Sequence, residues 1–255
     1  MSLAGVALAA GAGTRLRPLT DLMPKALCPV ANVALLDRAI VALEPTGCTG
    51  IAVNAHHMAD QIAEHVAGRA HLSVEQPAAL GTAGAIGALR PWLDGRDALI
   101  CNADAYRDGD LRALLDGWSG LRPRLLVVRD PQRADFGEWR FAGASVLPWA
   151  YARDLPAEPS GLYEVVWQAA DRSGDLEFVE HPTTFIDCGT PADYLAANLH
   201  ASGGASVIGA GAVVEGELVR SVVWPGAVVR RAERLVDAVR APGGLTVDCS
   251  AATAD

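Results

Sequence analysis

From residue 3 to about residue 200, short apolar runs alternate with segments whose apolar residues recur at helical spacing. No other feature limits the fold as much. Leu3–Ala10 reads as a strand buried on both faces, and Gly11–Met23 as a loop rich in Gly, Arg, Pro and Thr. Val33–Leu43 carries apolar residues at helical spacing, with Asp37, Arg38 and Glu44 on another face. Further strands are predicted at Gly50–Asn54, His71–Glu75, Asp97–Asn102 and Arg124–Val128. Helices are predicted at Met58–Val66, Thr82–Leu93 and Leu111–Trp118. Strand–loop–helix units of this length predict an α/β fold, with a mostly parallel sheet covered by helices on both faces. In such sheets ligands bind beyond the carboxyl ends of the strands. The loops after Ala10 and after Asn102 lie at such ends.

After Ser202 the texture changes. Residues 204–248 lose helical periodicity and show Val/Ile-rich hexads broken by glycine: Val207-Ile208-Gly209, Val213-Val214-Glu215-Gly216, Val222-Val223-Trp224-Pro225-Gly226 and Val228-Val229. This pattern predicts a short parallel β-helix of about two to three coils. The sequence therefore divides into residues 1–203 and a tail, 204–255.

Composition removes several classes of function. Half the residues are hydrophobic (51%) and 20% are charged, which is a globular balance rather than a disordered one. A net charge of -9 argues against a general nucleic-acid binder, which needs a basic face. Five cysteines, Cys28, Cys48, Cys101, Cys188 and Cys249, show neither a C-x-x-C pair nor zinc spacing, and read as reduced thiols of a cytoplasmic protein. The apolar start has no basic residue before Arg15, so it reads as a first strand rather than a signal peptide. No uninterrupted apolar run reaches about 18 residues, so no membrane span is expected.

The densest chemistry lies in residues 8–30: Leu8-Ala9-Ala10-Gly11-Ala12-Gly13-Thr14-Arg15-Leu16-Arg17-Pro18-Leu19-Thr20, then Pro24-Lys25-Ala26-Leu27-Cys28-Pro29-Val30. No lysine stands at Walker spacing. Leu16 occupies the place where a dinucleotide fingerprint needs its third small residue. What remains is a strand entering a tight two-glycine loop whose backbone N–H groups can approach an anion. Arg15 and Lys25 supply a forked and a compact cation, which suit a polyphosphate. Lys25 is the one lysine against 20 arginines, so a compact ammonium has a particular reason to stand there.

This two-part stretch resembles the signature of the sugar-1-phosphate nucleotidylyltransferases, or nucleotide-sugar pyrophosphorylases. The resemblance covers residues 3 to about 200, and the tail is similar to the left-handed β-helix that many members append. It implies a Rossmann-like catalytic domain in which Arg15 and Lys25 bind phosphates and act in catalysis. The backbone around Leu8, Ala10, Gly11, Gly13 and Thr14 would wrap the nucleotide. Glu75-Gln76-Pro77-Ala78-Ala79-Leu80-Gly81-Thr82 resembles the base-recognition loop, which implies nucleotide roles for Gln76, Gly81 and Thr82. Asn102-Ala103-Asp104 and Phe185-Ile186-Asp187-Cys188-Gly189-Thr190-Pro191 resemble the two metal-aspartate motifs. They imply Asp104 and Asp187 as ligands of Mg²⁺, which takes only one or two protein oxygens when phosphates and water supply the rest. Asn102, Gly143 and Glu164 fall on positions that contact the sugar.

One departure stands out. Many members carry a Glu-Lys-Pro-like motif whose lysine binds the sugar phosphate, and this chain has no such lysine between Val128 and Phe141. Either Arg133 or Arg140 replaces it, or the sugar phosphate is held differently. A similarly reduced middle occurs in N-acetylmuramate-1-phosphate uridylyltransferase-like members, whereas the tail is more similar to mannose-1-phosphate guanylyltransferase-like ones.

The expected reaction transfers a nucleotidyl group from an NTP (UTP or GTP) to a sugar 1-phosphate, releasing pyrophosphate. The acceptor is already anionic near neutral pH, so no general base is required. The expected partners are these two substrates and further copies of the chain through the tail, with neither nucleic acid nor membrane. The alternative is a catalytically silent sensing subunit that pairs with an active homologue.

Overall fold

A computed structural model describes residues 2–250. In chain order, β1 is Leu3–Leu8, followed by the short strands β2 (Pro29–Val30) and β3 (Val33–Ala34) and helix α1 (Leu35–Leu43). Then come β4 (Ile51–Ala55), α2 (Ala59–Val66), β5 (His71–Val74), α3 (Gly81–Leu93), β6 (Asp97–Asn102) and β7 (Ala105–Arg107). The middle of the chain forms β8 (Arg124–Arg129), β9 (Trp139–Leu147), α4 (Trp149–Ala152), α5 (Gln168–Ser173), β10 (Glu177–Glu180), β11 (Phe185–Asp187) and α6 (Pro191–Ala201). Eight short strands follow: β12 (Val207–Ile208), β13 (Val213–Val214), β14 (Glu217–Val219), β15 (Val222–Val223), β16 (Val228–Val229), β17 (Arg234–Val236), β18 (Ala238–Arg240) and β19 (Thr246–Asp248).

These elements gather into two compact units, neither continuous in sequence. The first comprises residues 2–12, 36–103 and 107–185, and the second 13–35, 104–106 and 186–250. The first is built on a seven-stranded sheet of order β10-β8-β9-β6-β1-β4-β5. Four of its pairings are parallel, and β9 runs antiparallel to both neighbours. β1 lies between β4 and β6, with all six residues buried, so its uninterrupted apolar sequence follows from cover on both faces. Ile86, Leu89 and Leu93 of α3 join β1 and β6 in the core of this unit. The expected α/β class and mostly parallel sheet are present.

The second unit contains the tail. β12, β15 and β18 form one parallel ladder, β13 with β16 a second, and β14 with β17 a third. Three ladders with matching register make coils of a parallel β-helix, which β19 ends by pairing antiparallel to β18. Valines and a tryptophan of the coils turn inward: Val222, Val223, Trp224, Val229 and Val239 are at most 1% exposed. Such a small solenoid buries one face only if something stacks on it. Here α6 and the 16–35 segment do so: Leu16, Leu19, Cys28, Val30, Tyr194 and Leu195 share one core with Val207, Val222, Trp224 and Val239.

One expected element differs. The helix anticipated over Leu111–Trp118 is a single 3₁₀ turn, Arg112–Leu114. The Asp110 carboxylate accepts the Arg112 N–H at 3.0 Å at the start. Gly117, in the left-handed region at φ 63°, closes the segment. Side-chain competition for backbone donors and a terminating glycine leave room for one turn only.

Candidate functional site

The second unit holds a charge cluster. Lys25 lies in a 3₁₀ turn, Lys25–Leu27, and is 6% exposed. Its Nζ donates to Asp104 Oδ2 at 3.1 Å and to Asp187 Oδ1 at 3.4 Å. Arg15 Nη2 lies 3.7 Å from the other oxygen of Asp187, and the Arg15 side chain is mostly exposed. Two cations and two carboxylates, the latter 79 and 162 residues from the lysine, thus converge. Burial by itself would lower the Lys25 pKa, but the charges of Asp104 and Asp187 outweigh it and hold the ammonium above the ordinary lysine value.

Local packing explains why the loop presents these side chains. Leu16 and Leu19 are fully buried anchors, so Arg15 and Arg17 face outward. The Gly13 carbonyl accepts Leu16 N–H and the Thr20 hydroxyl, both at 2.9 Å. Gly13 has φ 59°, and a Cβ there would lie 2.9 Å from Lys25 Cβ and Thr20 Cγ2. A side chain at 13 would therefore displace the lysine. Thr14 is exposed beside it. From the C-terminal side, Tyr194 of α6 donates its hydroxyl to the Pro29 carbonyl and accepts Trp224 Nε1–H at 3.0 Å. The tail thereby braces the segment that carries Lys25.

The carboxylate pair fits a hard divalent cation. Both donors are oxygens, and both already reach one cationic centre, the Lys25 ammonium. Among the described residues no group of three or more His, Cys, Asp or Glu gathers as a metal cage. Two carboxylates are the number Mg²⁺ uses when a phosphate substrate completes its shell.

The first unit holds the remaining expected residues. Leu8 and Ala10 are buried at the end of β1, and Gly11 is exposed just beyond them. Gln76 and Gly81 are exposed, and Gly81 opens α3 at φ 70°. A Cβ on Gly81 would stand 2.5 Å from the Ser160 carbonyl oxygen, so only glycine fits. Thr82 has a bond already: its Oγ1 accepts Leu162 N–H at 2.8 Å, tying α3 to the segment that carries Glu164. Glu164 is exposed and folds its carboxylate over Gly161, where a Cβ would meet it.

Asn102, at the end of β6, and Gly143, buried in β9, are close neighbours: a Cβ on Gly143 would stand 3.7 Å from Asn102 Cβ. Phe185 and Arg107 complete that surround. Of the two arginines considered in place of the missing lysine, Arg140 lies over the Phe185 ring at 5.4 Å. Arg133 is exposed and lies 4.0 Å from Asp130.

Two buried polar residues went unnoticed in the sequence. Asn54 and Glu75 are 3% and 2% exposed and hydrogen-bond each other at 2.7 Å. The available signal was an asparagine inside the apolar run Ile51-Ala52-Val53-Asn54-Ala55. His181 is also buried: it is 7% exposed and lies 3.1 Å from the Thr183 hydroxyl. Its position directly after β10, where its N–H bonds the Val127 carbonyl, draws it inward. All five cysteines are free, and only Cys48 is not fully buried. No helix among the described residues is long and apolar enough to cross a membrane.

Comparison with known proteins bears on the family. Residues 4–137 match the family described as Nucleotidyl transferase. An N-acetylmuramate alpha-1-phosphate uridylyltransferase from Neisseria meningitidis is 35% identical over 165 residues, 61% of this chain and 69% of that protein. One from Caulobacter vibrioides is 33% identical over 136 residues, 50% of this chain and 53% of that protein. The solved structure of HddC from Yersinia pseudotuberculosis, complexed with GMP-PN, superposes with a TM-score of 0.62 at 22% identity. It covers 79% of this chain and all of that one, a likeness of fold. These matches show the family: the chain belongs to the nucleotidyl transferase family as an enzyme of the sugar-1-phosphate nucleotidylyltransferase type.

Proposed function

We propose that the protein catalyses Mg²⁺-dependent transfer of a uridylyl group from UTP to a sugar 1-phosphate of the N-acetylmuramate kind, releasing pyrophosphate, in the cytoplasm. The observation that carries this reading is the Lys25 ammonium between Asp104 and Asp187, with Arg15 beside them. Such a cluster is electrically balanced without substrate. It suits a ligand that brings both anionic phosphates and a divalent cation. UTP is preferred to GTP because two relatives at 35% and 33% identity are named as uridylyltransferases.

In this reading the first unit recognises the nucleoside and the sugar. The backbone at Leu8, Ala10 and Gly11 packs against the nucleotide, and Gln76 and Gly81 read the base edge. Thr82 fixes the opening of α3. Asn102, Gly143 and Glu164 meet the sugar, and Arg140, resting on Phe185, replaces the missing lysine at the sugar phosphate. The second unit handles charge. Gly13 and Thr14 keep the loop open to phosphate, and Arg15 and Lys25 exchange carboxylate partners for phosphate oxygens. Asp104 and Asp187 would hold Mg²⁺, which when bound supplies positive charge to the α-phosphate. The sugar phosphate attacks in line as an anion, so positioning and charge neutralisation account for catalysis.

Assembly through the tail belongs to the same proposal. Val213 and Val228, paired across two coils, are 51% and 46% exposed and give a second copy an apolar contact. The test is pyrophosphate release by the purified protein with Mg²⁺ over a matrix of NTPs and sugar 1-phosphates. The highest rate is expected with UTP and N-acetylmuramate 1-phosphate. Nucleotide binding with no release for any pair would overturn the reading.

A further inference from the structure

Asn54 and Glu75 form a buried relay that none of the expected roles uses. Ala9 N–H donates to Asn54 Oδ1 at 2.7 Å, Asn54 Nδ2 donates to Glu75 Oε1 at 2.7 Å, and Leu80 N–H donates to Glu75 Oε2 at 2.7 Å. The backbone of Glu75 is fixed as well: its N–H donates to the Ala55 carbonyl at 2.8 Å, and its carbonyl lies 2.9 Å from His56 Nδ1. Both carboxylate oxygens accept from N–H groups, and no salt bridge to Glu75 is found among the described residues.

Burying a carboxylate without a cation is costly unless every lone pair that matters is satisfied. An apolar pair would fill the same space more cheaply. What the polar pair adds is geometry, because a fully satisfied buried network has one arrangement. Its two ends are backbone N–H groups of particular loops. Ala9 directly precedes Ala10 and Gly11, and Leu80 directly precedes Gly81 and Thr82.

We propose that Asn54 and Glu75 are positioning residues that set the separation of the glycine loop and the base-recognition loop, and so fix the nucleotide's place in the first unit. This rests on the nucleotide reading given above. The relay touches no substrate. It acts by holding Ala9 and Leu80, so its loss should weaken use of the NTP and spare use of the sugar 1-phosphate.

The polarity of the relay supplies its own test. In Glu75→Gln an amide N–H must face either the Asn54 amide or Leu80 N–H, so one contact becomes donor against donor. In Asn54→Asp two carboxylates face each other. The reciprocal double variant, Asn54→Asp with Glu75→Gln, restores every bond: the acid now at 54 accepts Ala9 N–H and the amide from 75, and the amide carbonyl at 75 accepts Leu80 N–H. Each single variant is expected to raise the KM for NTP about ten- to a hundredfold, with kcat and the sugar 1-phosphate KM within about threefold of wild type. The double variant is expected to return the NTP KM to within about threefold.

A single variant with an unchanged NTP KM, or a double variant no better than the sum of the singles, overturns the proposal. Should a single variant fail to fold by circular dichroism, Glu75→Asp keeps both acceptors but shortens their reach. It is expected to fold and still raise the NTP KM, and a wild-type KM there overturns the proposal too. A wild type inactive over the whole substrate matrix removes the nucleotide reading itself, which is visible before any variant is made.

Discussion

The first unit holds its loops by short hydrogen bonds between neutral groups and one buried acid, with Asn54 and Glu75 as the connectors. The second unit holds its loop by apolar anchors, Leu16 and Leu19, and places the opposed charges of Arg15, Lys25, Asp104 and Asp187 close together. The first arrangement is rigid and specific because each donor has one acceptor. The second is exchangeable, because a charge can change partners if another charge takes its place. In the proposed function, recognition by shape and catalysis by charge would fall to separately built parts of one chain.

Breaking the charged region gives the largest effect. Asp104→Asn or Asp187→Asn is expected to lower turnover roughly a thousandfold or more, leaving the circular dichroism spectrum unchanged. Near-wild-type kcat in either variant would remove the metal assignment. Lys25→Arg keeps the charge but not the shape, and kcat is expected to fall about a hundredfold in steady-state assays. The lysine is buried against Gly13, so the larger guanidinium should also cost about 1–3 kcal/mol of stability, read by denaturant titration.

The bracing of the second unit by its tail should show a smaller effect. Tyr194→Phe leaves the Pro29 carbonyl and Trp224 N–H unpaired in a core, at a cost of about 1–3 kcal/mol. Thermal melting measures this, and an unchanged midpoint would mean that water or relaxation replaces the hydroxyl. The smallest effect concerns the thiols. Burial first, and the neighbouring Cys188 thiol second, push Cys28 up to about 12, and burial does the same to Cys188, opposed by Lys25. A thiol must ionise to react, so both should resist iodoacetamide at pH 8 in the native protein while Cys48 is alkylated first. Peptide mapping by mass spectrometry would check this order.

The sheet was legible because its signal is local and repeated. Leu3–Leu8 and Asp97–Asn102 lie where apolar runs put them, and α3 begins within a residue of its expected start. The charge cluster was legible only as a set of motifs. That Lys25 meets both Asp104 and Asp187 is a fact of folding across long sequence separations, which no spacing encodes. The 111–118 segment misled because apolar periodicity says nothing of the Asp110 side chain that captures a backbone donor. Asn54 and Glu75 gave only a faint signal. Asn54 is one polar residue in an apolar run and Glu75 follows a strand, and their shared burial is what gives them meaning. The tail's coils were visible in their hexads, but their core shared with residues 16–35 was not.

The second unit takes in residues 13–35 and 186–250, whereas the stretch between them, apart from 104–106, belongs to the first. A ribosome therefore makes the Gly13–Lys25 loop early and its bracing residues, Tyr194 and Trp224, late. At about 5–20 residues per second the wait is on the order of ten seconds or more. During that time Leu16, Leu19 and Val30 lack the partners that bury them. A chain interrupted before Trp224 would carry the signature sequence without the packing that shapes it.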